Sequence, residues 1–166
     1  DLLDEVGDAE AQELAMRERL EPVLDGVPLD LLNLSFGEFF GEEPEVFLDS
    51  VNRVLKVARA LDPDVELASV IHVGAEQRVK YNGQDVLYYT LAQFADPEIV
   101  PWVHSVMFYT LFDDAGGAYH HEEFDEHREL LLKKIQAGEP VGYFPESAYW
   151  VTFDNSVPQY LPLYVW

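Results

Sequence analysis

The stretch PEVFLDSVNRVLKVARALDPDVELASVIHV, residues 44–73, decides the fold. In its first part Val46, Phe47, Val51, Val54, Leu55, Ala58 and Leu61 fall on one side of a helix, and Asp49, Asn52, Arg53, Lys56 and Arg59 largely on the other. Pro44 suits a first helical turn, where its missing N–H is not needed, and Asp62-Pro63 stops the run. Val65 to Val73 then reads as a strand that is apolar almost throughout, the pattern of a strand covered on both faces. A helix of 44–61 returning through a short turn into such a strand is half of the unit from which parallel sheets are built.

The same rhythm extends in both directions. Apolar, β-rich segments begin near Leu29, Val65, Val103 and Val141, at intervals of 36, 38 and 38 residues. Strands are predicted over 29–36, 65–73, 103–112 and 141–144, and helices over 8–20, 44–61 and 121–136. Asp8 is the expected N-cap of the first helix, with Ala11, Leu14, Ala15 and Leu20 as its apolar stripe and Pro22 near its end. Gly138 is the expected stop of the last. Between the second and third strands, Asn82-Gly83 predicts a tight turn, and Val86, Leu87, Thr90, Leu91 and Phe94 a short helix after it.

The fold class expected is therefore α/β, with about four parallel strand-helix units in one domain spanning 1–166. Eight such units close a (β/α)-barrel and need about 250 residues. Four units suit part of a barrel, and an open doubly wound sheet is the alternative. The sequence opens at Asp1 and closes at Trp166 within an apolar stretch, so the expectation is a portion of a longer barrel chain or a half-barrel completed by a second subunit.

Composition narrows the partners. There are 32 acidic residues against 10 basic ones, a net charge of −22, with a pI near 4.2. Nucleic acid and anionic membranes bind proteins through Lys and Arg, so neither is an expected partner. Such acidity suits a salty, extracellular or periplasmic setting. The chain has no cysteine, which removes thiol catalysis, disulfides and cysteine metal sites. It carries no glycine-rich phosphate loop, dinucleotide fingerprint or Gly-x-Ser-x-Gly elbow.

Parallel sheets carry their chemistry at the carboxyl ends of the strands. Glu38 follows the first predicted strand between Phe36 and Phe40, and Glu146 follows the fourth after Phe144-Pro145. A carboxyl group in apolar surroundings has its pKa raised and suits a general acid, while a better solvated one serves as base or nucleophile. That pairing is the one that cleaves glycosidic bonds. His72, at the end of the second strand, is a further acid-base candidate. His104, at the start of the predicted third strand, is expected on the opposite rim in a stabilising role.

Eight of the 22 aromatics fall between Tyr143 and Trp166, and flat rings with a polar edge suit sugar faces as well as cores and interfaces. Tyr149 and Trp150 are the ones expected near a ligand. Asp113-Asp114, before Gly116-Gly117, form an oxygen-rich turn expected to contact substrate; no cofactor is implied, and a divalent cation is the one such ligand these turns admit. His120, His121 and His127 sit among acids at the head of the last helix, where packing and surface roles are expected.

On a barrel, this aromatic and carboxylate content is similar to that of carbohydrate-active enzymes, an analogy of fold rather than of motif. Pro145 precedes Glu146 and Gly37 precedes Glu38, where the commonest retaining glycosidases place Asn before the acid. Three functions are thus expected. The first is a glycoside hydrolase-like enzyme acting on carbohydrate or another small-molecule substrate. The second is a non-catalytic binding or assembly domain docking through its aromatic C-terminal segment, and the third a metal-dependent hydrolase using His72 and Asp113-Asp114.

The charge has a direct consequence for stability. Self-repulsion destabilises the compact state, and salt shortens its reach from about 30 Å at 0.01 M to about 3 Å at 1 M. Thermal melts in NaCl across that range are expected to show a rising midpoint; a flat or falling one would mean that repulsion is unimportant here.

Overall fold

A computed structural model describes residues 8–36, 43–71, 78–106 and 124–146. Its elements run α1 (Ala9–Leu24), β1 (Leu31–Phe36), α2 (Pro44–Leu61), β2 (Glu66–Ile71), a hairpin of β3 (Arg78–Tyr81) and β4 (Gln84–Leu87), a 3-10 helix (Tyr88–Phe94), β5 (Ile99–Val106), α3 (Phe124–Ala137) and β6 (Gly142–Glu146). Strands β1, β2, β5 and β6 form a four-stranded sheet in chain order, and every pair is parallel. The chain is thus α/β. The reversal of strand order that a doubly wound sheet contains does not occur among the described strands.

Register assigns each side chain to a face, because laterally paired residues of a parallel sheet point the same way and successive residues alternate. One face carries Leu32 and Leu34 of β1, Leu67 and Ser69 of β2, Ile99, Pro101 and Val103 of β5, and Tyr143 of β6. The described helices meet this face. Phe47, Val51, Val54 and Ala58 of α2 share one core with Leu34, Leu67, Ile99 and the 3-10 residues Tyr88 and Leu91. Phe47 and Tyr88 anchor it with tilted rings whose centroids are 5.8 Å apart. Farther along the sheet, His127 and Leu130 of α3 meet Ser69, Pro101 and Val103. One-sided placement follows from the strand order, since right-handed crossovers between successive neighbours all return over the same face.

Local chemistry explains the element ends. Asp8 caps α1 by accepting a hydrogen bond from the Ala11 N–H at 3.0 Å. The buried residues of α1 are Met16 and Leu20, whereas Leu14, expected in the stripe, is 57% exposed. The reason is that α1 packs on α2 in an outer layer and needs only a narrow seam. Pro22 lies inside the last turn of α1, which runs on to Leu24.

Asn82 and Gly83 both have positive φ, 49° and 75°, the turn that matches the twist of a two-residue hairpin. The hairpin and the helix compete for Val86 and Leu87, and the hairpin takes them, leaving a 3-10 helix from Tyr88. At the end of α3, Gly138 adopts φ 69°, and the N–H groups of Gly138 and Glu139 donate to the Ile135 and Lys134 carbonyls in a Schellman arrangement. Lys134 also pairs with Glu139 at 2.7 Å, and that bond, with the ammonium charge, holds the Glu139 carboxyl below its usual range.

The third parallel strand differs from expectation. It spans Ile99–Val106, four residues earlier than 103–112, and includes Pro101. A proline is excluded from a ladder flanked on both sides, but β6 joins β5 only from Trp102 onward. Pro101 therefore sits where the strand still has one open side.

Leu67 is fully buried at the centre of the helix-covered face. Leu67→Ala is expected to cost about 2–5 kcal/mol, and Leu14→Ala less than about 0.5 kcal/mol, in urea unfolding. Equal costs would refute the assignment of faces.

Candidate functional site

Four parallel strands bring their carboxyl ends to one edge of the sheet. Of the residues expected there, Glu146 is described: it is the last residue of β6, paired with Val106 of β5. Glu38, His72, Asp113, Asp114, Tyr149 and Trp150 lie outside the described residues, as do His120 and His121. In sequence, Glu38 is two residues beyond the end of β1 and His72 one beyond β2.

The other face of the sheet receives none of the described helices. It carries Leu31, Asn33 and Ser35 of β1, Glu66, Ala68 and Val70 of β2, Val100 and Trp102 of β5, and Gly142 and Phe144 of β6. Asn33, Ser35, Glu66 and Phe144 are exposed, around a buried centre of Ala68 and Val70. By the same alternation His104 and Glu146 take positions on this face. His104 is in register with Phe144, and Glu146 is one pleat further toward the carboxyl edge.

His104 thus corrects the sequence expectation. Because β5 begins at Ile99, His104 is the sixth of its eight residues, toward the carboxyl end rather than at the amino rim.

Trp102 and Phe144 meet on this face. Their rings are stacked, with centroids 6.4 Å apart and planes 26° from parallel. Gly142, the register partner of Trp102, makes this possible. A Cβ there would fall inside the indole, so the ring lies over bare backbone of the neighbouring strand. Sequence reasoning missed Trp102, since the strand was begun at Val103, and placed Phe144 in the fourth strand without pairing it to Trp102. Period-two alternation from Ile99 would have shown Trp102 and His104 on one side.

The hairpin is tied to α3. Arg78, at the start of the hairpin that follows β2, donates from Nε to Asp85 Oδ2 at 3.1 Å and from Nη2 to the Asp85 carbonyl at 3.1 Å. Its Nη1 donates to Glu126 Oε1 of α3 at 2.6 Å. Glu126 first and Asp85 second hold the guanidinium proton more firmly than in free arginine. A guanidinium engaged by two carboxylates has little left for an anionic substrate.

Two other spaces are less suited to chemistry. On the helix side, Ser69, Thr90, Gln93 and His127 surround a cavity of about 10 Å³, at the lower limit for one water. Thr90 Oγ1 donates to the Leu87 carbonyl at 2.8 Å and Gln93 Nε2 to the Thr90 carbonyl at 3.0 Å, which satisfies part of this polar pocket. His127 is 5% exposed there, matching the packed role expected of it. The second space, about 320 Å³, is a groove between α1 and α2 under the Lys56–Glu13 ion pair, and no sheet residue lines it. Among the described residues no three His, Asp or Glu side chains gather as a metal site, and no helix is long and apolar enough to cross a membrane.

No family model matches the chain, and neither a curated protein nor a solved structure matches it.

Gly142→Ala is expected to expel the indole from its seat, at about 1–3 kcal/mol for an overpacked contact. Near-ultraviolet circular dichroism and a thermal melt measure both effects. Unchanged spectra would mean that the stack does not depend on the bare backbone at Gly142.

Proposed function

We propose that this chain is part of a (β/α)-barrel that hydrolyses glycosidic bonds, with Glu38 and Glu146 as the carboxyl pair and His72 assisting proton transfer. Asp113, Asp114, Tyr149 and Trp150 contact the sugar in this reading. One observation carries it: four parallel strands in chain order, with the described helices on one face, the arrangement of successive strands in a barrel. The other face then corresponds to the barrel interior. The carboxyl ends of the strands correspond to its catalytic rim, where Glu146 ends β6 and Glu38 and His72 follow β1 and β2 within two residues. No metal or cofactor is needed for this chemistry.

The mechanism in this reading is acid-base. One carboxylic acid protonates the departing glycosidic oxygen, and the other carboxylate attacks the anomeric carbon or activates water. Hydrophobic neighbours favour the protonated form of the acid at neutral pH. The acidic surface disfavours anionic polysaccharides.

A second reading has its own support. The helix-free face, with Trp102 and exposed Phe144, is the surface that a non-catalytic assembly domain would present, docking through this face and the aromatic C-terminal segment.

Reducing-sugar release from a panel of soluble polysaccharides separates the two. Glu38→Gln and Glu146→Gln are each expected to lower kcat by about 10²–10⁴-fold. Full activity in both variants, or none in the native protein, would defeat the enzyme reading.

A further inference from the structure

Glu10, Glu13, Leu14 and Arg17 stand at i, i+3, i+4 and i+7 of α1 and so share one side of that helix. They form one wall of the groove of about 320 Å³ whose other wall is Lys56, Val57 and Ala60 of α2. Val57 is buried, but Leu14 is 57% exposed, an apolar side chain left open to solvent between charged neighbours.

The stripe on α1 is electrically graded, with its acids toward the amino end and Arg17 toward the carboxyl end. Lys56 takes up Glu13 at 2.6 Å. Glu10 and Arg17 are exposed, and neither makes an ion pair among the described residues, whereas Lys56, Arg59, Arg78 and Lys134 all do. Separated by seven residues, about 10 Å of helix, they do not meet within one chain. Laid antiparallel against a second copy of itself, the same stripe is complementary. Its acidic end meets the basic end twice, and Leu14 falls beside the midpoint.

We propose that this groove is the interface of a two-fold dimer, in which α1 of a second copy lies antiparallel along it. Leu14 of each copy covers Val57 and Ala60 of the other, and Glu10 of each pairs with Arg17 of the other, the reciprocal pattern of an isologous contact. A furrow between two helices with a leucine at its rim suits a side-chain knob from a third helix, at the usual interaxial distance of about 8–10 Å.

Charge selects both the place and the partner. On a chain of −22, a second copy meets like charge over most of the surface. The groove sets Glu10 and Glu13 against Arg17 and Lys56 and is formally neutral, so two copies approach there without that repulsion. No sheet residue lines it, so the contact stands apart from the strand ends and is independent of the hydrolase reading.

The test is sedimentation equilibrium of the full chain in about 0.15 M NaCl, which screens charges more than about 8 Å apart. The native chain is expected to show a reversible monomer–dimer equilibrium with Kd of about 1–100 μM, as suits a small contact. Arg17→Glu and Glu10→Arg are each expected to weaken it at least about tenfold, because both reciprocal pairs become like-charged. Glu10→Arg combined with Arg17→Glu restores opposite charges across the axis and is expected to return Kd to within about threefold of native. Leu14→Asp is expected to weaken dimerisation at least about tenfold as well. Far-ultraviolet circular dichroism checks that α1 persists in each variant. Recovery in the double variant, which carries both substitutions, is a result that misfolding cannot produce. A native monomer up to about 0.5 mM, a dimer unchanged by Arg17→Glu and Leu14→Asp, or a double variant no tighter than the singles would overturn the interface.

Discussion

The apolar seam between α2 and the sheet residues Leu34, Leu67 and Ile99 is the interaction on which the rest of the sheet depends. A parallel ladder gains little per residue unless its faces are covered, and α2 supplies the largest described cover. Phe47, Val51, Val54 and Ala58 are all at most 1% exposed. Full burial of a side chain the size of Phe47, Val51 or Val54 is worth about 1.5–3 kcal/mol. The ion pairs seen among the described residues are surface contacts, each worth about 0–1 kcal/mol. With ten cations against 32 anions, electrostatics opposes compaction, and the seam must outweigh it.

The described helices cover one face of the sheet, and the two faces differ accordingly. The helices absorb the apolar demand of the Leu67 face, so the opposite face is free to carry Asn33, Ser35, Glu66 and Phe144 in contact with water. Under a second covering layer Asn33, Ser35 and Glu66 would be buried polar groups at a cost of about 1–3 kcal/mol each when unpaired. The one-sided architecture and the polar, aromatic character of the second face are thus one fact seen twice. Ala68 and Val70, at the centre of that face, are nevertheless buried.

Much of this was legible in the sequence because it is local. Residues 44–61 carry their own start, stop and stripe, and the helix has those limits. Asn82-Gly83 and Gly138 state backbone conformations that few other residues adopt, and both occur as expected. What was not legible depends on neighbours. Pro101 argues against a strand until one knows that β6 begins pairing at Trp102. The competition of hairpin and helix for Val86 and Leu87 was settled by pairing with Arg78 and Val79 across the turn. The candidate site is less legible still, since the approach of Glu146 to other strand ends is a matter of register and not of spacing. Of the strand-end set, Glu146 alone falls among the described residues.

Register itself has a local guardian in Gly142. A slip of one residue between β5 and β6 would set Val141 or Tyr143 beside Trp102, and either brings a Cβ to the place the indole occupies. The same slip would turn Phe144 toward the helices and carry Glu146 with it, because one residue changes the face of every side chain on a strand. The contact that seats Trp102 therefore also fixes the faces of Phe144 and Glu146. A strand of five residues that contains Pro145 and stands last among the described strands has few ladder bonds there to hold its register. A glycine that admits the indole at a single register adds the discrimination that the ladder lacks.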